Sequence, residues 1–217
     1  MRKIDKNKIL SQEYSRWLEN LGEENHPKYN SSSFRYYFDI KMSLLHSQKG
    51  LCAYTEQALC DEKYISVNNW DNFKYVRVLT KEEKNSIQGD LEHFDESLKT
   101  DKGWLWDNLF IVATYNNCRI KGTKAIETIL KPDNPNYDPY KYLEFDFETG
   151  MFIPFHMLSQ DEKKRVKYMI ETLGINCIAS QRKKQLLLLK DRVEVGLDAN
   201  PYEYITAWEM TLQNLEF

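Results

Sequence analysis

Apolar residues along this chain change their spacing several times, and each change marks an element. Tyr14, Trp17, Leu18 and Leu21 recur at helical spacing, and Gly22 stops them. After the polar segment Glu23 to Ser33, a second helix is expected through Phe34, Tyr37, Phe38, Lys41, Leu44 and Leu45, ending before Gly50. From there to Leu130 the helical period breaks into short apolar runs, notably Trp104 to Ala113, followed by a helix with a polar start running through Ile126, Ile129 and Leu130. The proline-rich stretch LKPDNPNYDPY reads as an irregular connection. Beyond it Leu143, Phe145 and Phe147 alternate with Glu144 and Asp146, and Glu148-Thr149-Gly150 turns the chain into Met151 to Phe155, which is a β-hairpin pattern.

The last third reads as helical. Ser159 and Glu162 are spaced as a capping box, Val166, Met169, Ile170 and Leu173 share a face, and Gly174 ends the run. Asn176 is expected to cap the next helix, through Leu186 and Leu189 to about Gly196. Asn200, Pro201 and Glu203 then read as cap, first-turn proline and third-position acid for a final helix bearing Ile205, Trp208, Leu212 and Leu215.

The pattern predicts an α+β protein of one unit: N-terminal helices over 1–49, a mixed core over 50–130, and a hairpin with C-terminal helices over 131–217. A 41% hydrophobic and 29% charged composition excludes a disordered tail. No apolar run reaches membrane-spanning length, and MRKIDKNKIL has no leader-like core, so the expected location is the cytoplasm, with Cys52, Cys60, Cys118 and Cys177 as free thiols. The net charge of −3 offers no general attraction to a polyanion, so a nucleic-acid substrate would need a partner to supply the grip.

Three segments stand out by their chemistry: Cys52-Ala53-Tyr54-Thr55-Glu56, Asp90-Leu91-Glu92-His93-Phe94, and Trp106-Asp107-Asn108-Leu109 running on to Lys121-Gly122. An acid beside a histidine suits phosphodiester hydrolysis, which needs a base of near-neutral pKa to activate water and a cation to hold developing negative charge. In a regular strand the two would face opposite ways, so they serve one site only where the strand ends or twists. His26, His46 and His156 have no such company. The cluster of Tyr54, Trp104 and Trp106 reads as core, and Arg182-Lys183-Lys184 as a solvated helix face.

In order and spacing these segments resemble the HNH endonuclease family, closest to the PtuB-like branch associated with retron and Septu anti-phage systems. The likeness continues through Asp138-Pro139, LEFDFETGMFIP and LGIN. The resemblance implies an HNH ββα-metal core framed by the helices and the hairpin, with His93 as general base and Asn108 fixing its ring or its backbone. It implies Glu92 as carboxylate ligand of one divalent ion, Mg²⁺ or else Mn²⁺. It also implies a DNA or RNA substrate, a PtuA-like ATPase partner, and a retron reverse transcriptase with its RNA-DNA hybrid as a further one.

The chain departs from that family in two places. Where members carry two CxxC pairs, it reads Cys52-x-x-Thr55 and Thr114-x-x-Asn117, a donor set unsuited to zinc, so no structural zinc is expected. Three residues before Lys121, where the family places its last Asn or His ligand, stands Cys118, with Asn117 just before it. Asn117 faces the metal if the helix register slips by one, and Cys118 would suit a softer ion. The rival readings are a scaffold that kept the HNH shape with weakened catalysis, and a helical interaction protein in which the motif is accidental.

Overall fold

A computed structural model describes residues 1–213, except for the side chain of Cys118. The architecture is α+β, with two separate two-stranded antiparallel hairpins set among helices.

Helix α1, Gln12–Leu21, is capped by the Ser11 hydroxyl and closed by Gly22, as its pattern predicts. Helix α2 covers Tyr37–Ser47, starting after Phe34, which lies in the preceding turn. Strands β1, Asp90–His93, and β2, Leu109–Val112, pair with Glu92 opposite Phe110 and His93 opposite Leu109. Strands β3, Leu143–Asp146, and β4, Met151–Pro154, form the second hairpin around the turn at Gly150. Helices α3, Gln160–Thr172, α4, Ala179–Glu194, and α5, Ile205–Gln213, follow. The Ser159–Glu162 capping box is present, and Gly174 follows α3 at φ +64°.

Several sequence expectations fail for long-range reasons. The helix expected through Ile126, Ile129 and Leu130 is instead a short π-helical turn, Asn116–Lys121, ended by Gly122, and a separate 3-10 turn, Thr128–Leu130. Asn176 does not cap α4; its side-chain oxygen and nitrogen clamp the N–H and C=O of Phe152, both at 2.8 Å. Asn200 and Pro201 do not open α5, which starts four residues later. Its Thr206 N–H is bonded by the Glu56 carboxylate at 2.9 Å, a cap supplied from 150 residues away. Arg182 is no solvated residue: its side chain is fully buried and bonds the Gly150 and Ile175 carbonyls above the Phe152 ring. Leu215 lies outside the described residues.

One contiguous core cluster runs from Met1 to Met210 and includes Tyr54, Trp104 and Trp106, the aromatics expected there. Among the described residues no helix is long and apolar enough to cross a membrane.

Candidate active site at the first hairpin

Strand β2 is buried along its whole length, and β1 is buried from Leu91 onward, so Glu92 and His93 lie inside the protein. The outer edge of β2 is sealed by Gln48 from α2's end, which accepts from Ile111 N–H at 2.8 Å and donates to its C=O at 2.7 Å. The Cys52–Glu56 turn lies against the same edge, with Ala53 N–H donating to Ile111 O and the Cys52 sulfur accepting from Ala113 N–H. Backbone bonds inside that turn, from Cys52 N–H to Gln57 O and from Glu56 N–H to Cys52 O, hold its shape. Glu56 itself, at φ +60°, contacts the Met1 ammonium at 3.0 Å and caps α5, so it ties the turn to both ends of the described chain.

Strand β1 ends at His93, and the two neighbours meet different partners, Glu92 on the side of Lys121 and His93 on the side of Gly103 and Tyr29. The His93 ring is 2% exposed and its Nε2 lies 2.8 Å from the carbonyl of Gly103. A carbonyl can only accept, so Nε2 carries the proton and Nδ1 keeps a lone pair in the neutral ring. Burial pulls the ring's pKa below its ordinary value, more than the Gly103 bond raises it, so the neutral form dominates at pH 7. The edge of His93 meets Tyr29 at 4.7 Å between centroids, and Tyr29 stacks in turn on Trp104. His26 closes the same side, its Nδ1 accepting from Trp104 N–H at 3.0 Å.

Asn108 fixes the chain just after His93 rather than the ring. Its side-chain oxygen accepts from Asp95 N–H at 2.8 Å, its amide donates to Asp95 C=O at 2.9 Å, and its own carbonyl accepts from Phe94 N–H at 2.8 Å. The long connection between the strands is thereby anchored at both ends beside the imidazole. Lys6 supports it from below, donating to the carbonyls of Trp106 and Leu109 while paired with Asp133.

Glu92 is 2% exposed and faces Lys121, the last residue of the π-helical turn. The Lys121 ammonium stands 2.6 Å from Glu92 Oε1 and donates to the His93 carbonyl at 2.7 Å. Oε1 is thus paired with the ammonium inside the protein. Burial outweighs the lysine and pushes the carboxyl up to about 7. Glu96 and Lys99, which form an ion pair at 2.8 Å, add charge near both Glu92 and His93.

Of the other expected ligands, Asn117 turns towards β1, its amide nitrogen 3.5 Å from Leu91 O, while the side chain of Cys118 is outside the described residues. Among the described residues no three His, Cys, Asp or Glu side chains converge as a metal site. Lys121 already stands against Glu92, and the Asn117 amide turns to the β1 backbone, so the oxygen shell that a hard divalent ion takes is not assembled among the described side chains. The sequence pattern singled out Glu92, His93 and Asn108 but gave Lys121 no role. A partner 29 residues from its carboxylate leaves no local spacing signal, and the same holds for Tyr29 and the Gly103 carbonyl.

His46 and His156 are held elsewhere, His46 by Ile65 O at 2.7 Å and His156 by Glu144 at 2.5 Å. Compared with models of known protein families and with curated proteins, the chain matches none.

Proposed function

We propose that this chain is a metal-dependent HNH-type endonuclease of the PtuB-like kind, hydrolysing phosphodiester bonds of DNA or RNA as the nuclease subunit of a bacterial anti-phage complex. The observation that carries the reading is the His93 ring at the end of β1, oriented by Gly103 O so that a neutral Nδ1 is available as a base, with a buried carboxylate, Glu92, on the preceding residue. The order strand, long connection, strand and short helical turn agrees with a ββα-metal centre.

In this reading His93 Nδ1 takes a proton from a water whose oxygen attacks phosphorus, and the bond from phosphorus to the leaving sugar oxygen breaks. The Gly103 carbonyl then stabilises the imidazolium through Nε2–H, as an acceptor facing a charged donor. Asn108 keeps the chain at 94–95 in place so that the ring does not swing. The reading also expects a single Mg²⁺ or Mn²⁺ ion with Glu92 and Asn117 or Cys118 as its ligands, a set that the described side chains do not assemble. No structural zinc is part of the reading, and the chain works in the cytoplasm.

The net charge of −3 supports a partnered enzyme, with a PtuA-like ATPase, and a retron reverse transcriptase carrying its RNA-DNA hybrid, bringing the substrate. The test is cleavage of plasmid DNA and of RNA by the chain with Mg²⁺ or Mn²⁺, alone and with such an ATPase. Weak cleavage alone, stimulation by the ATPase, and loss in His93→Gln are expected; cleavage that survives His93→Gln ends the reading. The burial of His93 and the lysine already on Glu92 favour a second reading, a scaffold subunit with weakened catalysis. That reading expects complex formation with no cleavage under any of these conditions.

A further inference from the structure

We propose that His26 is a positioning residue for His93, acting through the single peptide group that joins Gly103 to Trp104. The relay itself rests on the described geometry, and its service to catalysis rests on the nuclease reading.

The carbonyl that orients His93 and the N–H that binds His26 belong to the same peptide unit. On one side His93 Nε2–H donates to Gly103 O at 2.8 Å, and on the other Trp104 N–H donates to His26 Nδ1 at 3.0 Å. A backbone N–H can only donate, so Nδ1 of His26 holds a lone pair and the ring's own proton is on Nε2. Two imidazoles of the same tautomer are thus linked head to tail across one amide. Bonds in such a chain polarise one another. An acceptor on the amide N–H moves electron density onto the amide oxygen and strengthens the bond that this oxygen receives, by about 10–30%. Once His93 has taken a proton its Nε2–H is a charged donor, and the added negative character of the carbonyl then has its largest effect.

Each part of the relay is fixed by its surroundings. A Cβ at Gly103 would stand 2.6 Å from the Lys99 carbonyl oxygen and 3.3 Å from Tyr29 Cβ, so glycine lets the peptide lie where it does. Trp104 is fully buried; its indole N–H donates to Pro27 O at 3.1 Å, and its carbonyl accepts from the Tyr14 hydroxyl at 2.6 Å. His26 is held by its own N–H on Asp101 O at 2.7 Å and by the Trp17 ring, edge-on at 5.8 Å between centroids. The charged group facing it is the Lys102 ammonium, which sits on the Glu23 and Glu24 carbonyls at 2.9 Å. Burial, and then that ammonium, hold the His26 pKa below its ordinary value, so at pH 7 Nδ1 is free to accept.

The test reads the His93 ring itself, by proton and nitrogen-15 NMR of the full chain at pH 8, in wild type, His26→Phe and His26→Asn. His93→Gln assigns the signal by deleting it. Asparagine places an amide oxygen where Nδ1 stands and restores the acceptor, whereas phenylalanine keeps the ring's volume without one. In His26→Phe the His93 Nε2–H proton is expected to move upfield by well over its linewidth, and in His26→Asn to stay near its wild-type position. A role confined to pairing Trp104 N–H would lower the stability of His26→Phe and leave the His93 signal in place. That result overturns the inference, as does an equal move in both variants. Should His26→Phe fail to fold, His26→Gln takes its place, because its amide lies beyond the Nδ1 position and misses the Trp104 N–H. Cleavage at pH 7 is expected to fall about tenfold in His26→Phe, the low end for losing an outer partner of a working histidine, and to be largely kept in His26→Asn. Wild-type cleavage by His26→Phe overturns the positioning role. Failure of the nuclease reading shows separately, as cleavage that survives His93→Gln, and does not alter the NMR result.

Discussion

The two hairpins of this protein have the same size and a different purpose. Each has two four-residue strands, too few to stand alone in water. Each also has the middle residue of its second strand clamped at both N–H and C=O by an amide side chain, Gln48 on Ile111 in one and Asn176 on Phe152 in the other. That device blunts an exposed sheet edge. The second hairpin stops there: β3 and β4 alternate buried apolar with more accessible residues around a tight turn. The first buries Glu92, His93, Asn108 and Lys121 and opens its turn into the long 94–108 connection. Buried charge is weak as a source of stability; the second hairpin has one such group, Arg182 on the Gly150 carbonyl, whereas the first has an acid and a histidine buried at adjacent positions with a lysine on the acid.

The sharpest break in that comparison is His93→Gln, which keeps most of the ring's volume. Loss of the base is expected to lower cleavage by about 10²- to 10⁴-fold. Because His93 is 2% exposed, a modest loss of stability accompanies it, unlike a surface base; circular dichroism and an unfolding curve check that the fold survives.

Asn108→Ala and Asn176→Ala remove equivalent clamps from the two hairpins. Each leaves a backbone N–H and C=O without a side-chain partner and should cost about 2–3 kcal/mol in urea unfolding. Only Asn108→Ala should also slow cleavage at temperatures where both variants are folded. Equal effects on cleavage would mean that Asn108 acts through stability alone.

Glu92 gives the first hairpin a pH dependence of its own. Its folded pKa of about 7 lies above the ordinary 4.5, so the folded metal-free chain holds this proton more tightly than the unfolded one. The associated stability is fully present below pH 4.5 and is lost as pH rises to about 7, with a magnitude on the order of 3 kcal/mol. Carbon-13 NMR of the metal-free protein should show the Glu92 carboxyl titrating near 7, and a midpoint near 4.5 would show that the lysine outweighs burial.

What the sequence made legible follows the same division. The second hairpin, α1 and the α3 capping box rest on contacts within a few residues, and their patterns were sufficient. Motif spacing singled out Glu92, His93 and Asn108; the first two end β1 and Asn108 bonds the chain at Asp95, each side chain with a partner that the motif does not name. Hidden were the partners that arrive from afar: Lys121 for Glu92, Glu56 for the start of α5, and the interior for Arg182. Arg182 shows the physical reason. A basic run reads as solvated unless carbonyls and aromatic faces wait for one member, and those come from the Gly150 turn and Phe152, some 30 residues earlier.

The smallest effect separates the glycines that follow the two structures. Gly150 and Gly122 both have positive φ, +72° and +52°, where a Cβ strains the backbone. At Gly150 a Cβ would also stand 2.4 Å from the Ala179 carbonyl and 2.9 Å from Lys183 Cβ, so Gly150→Ala must push α4 off the hairpin. At Gly122 it would meet nothing within 4 Å, so Gly122→Ala should cost only the conformational penalty of its φ +52°, ψ −130° backbone, about 1–3 kcal/mol. Unfolding curves on the two variants check the difference, with Gly150→Ala the larger by a clear margin. The equality that would break the comparison is instructive: a Gly122→Ala penalty as large as that of Gly150→Ala would mean that the segment beyond Lys121 is packed and fixed.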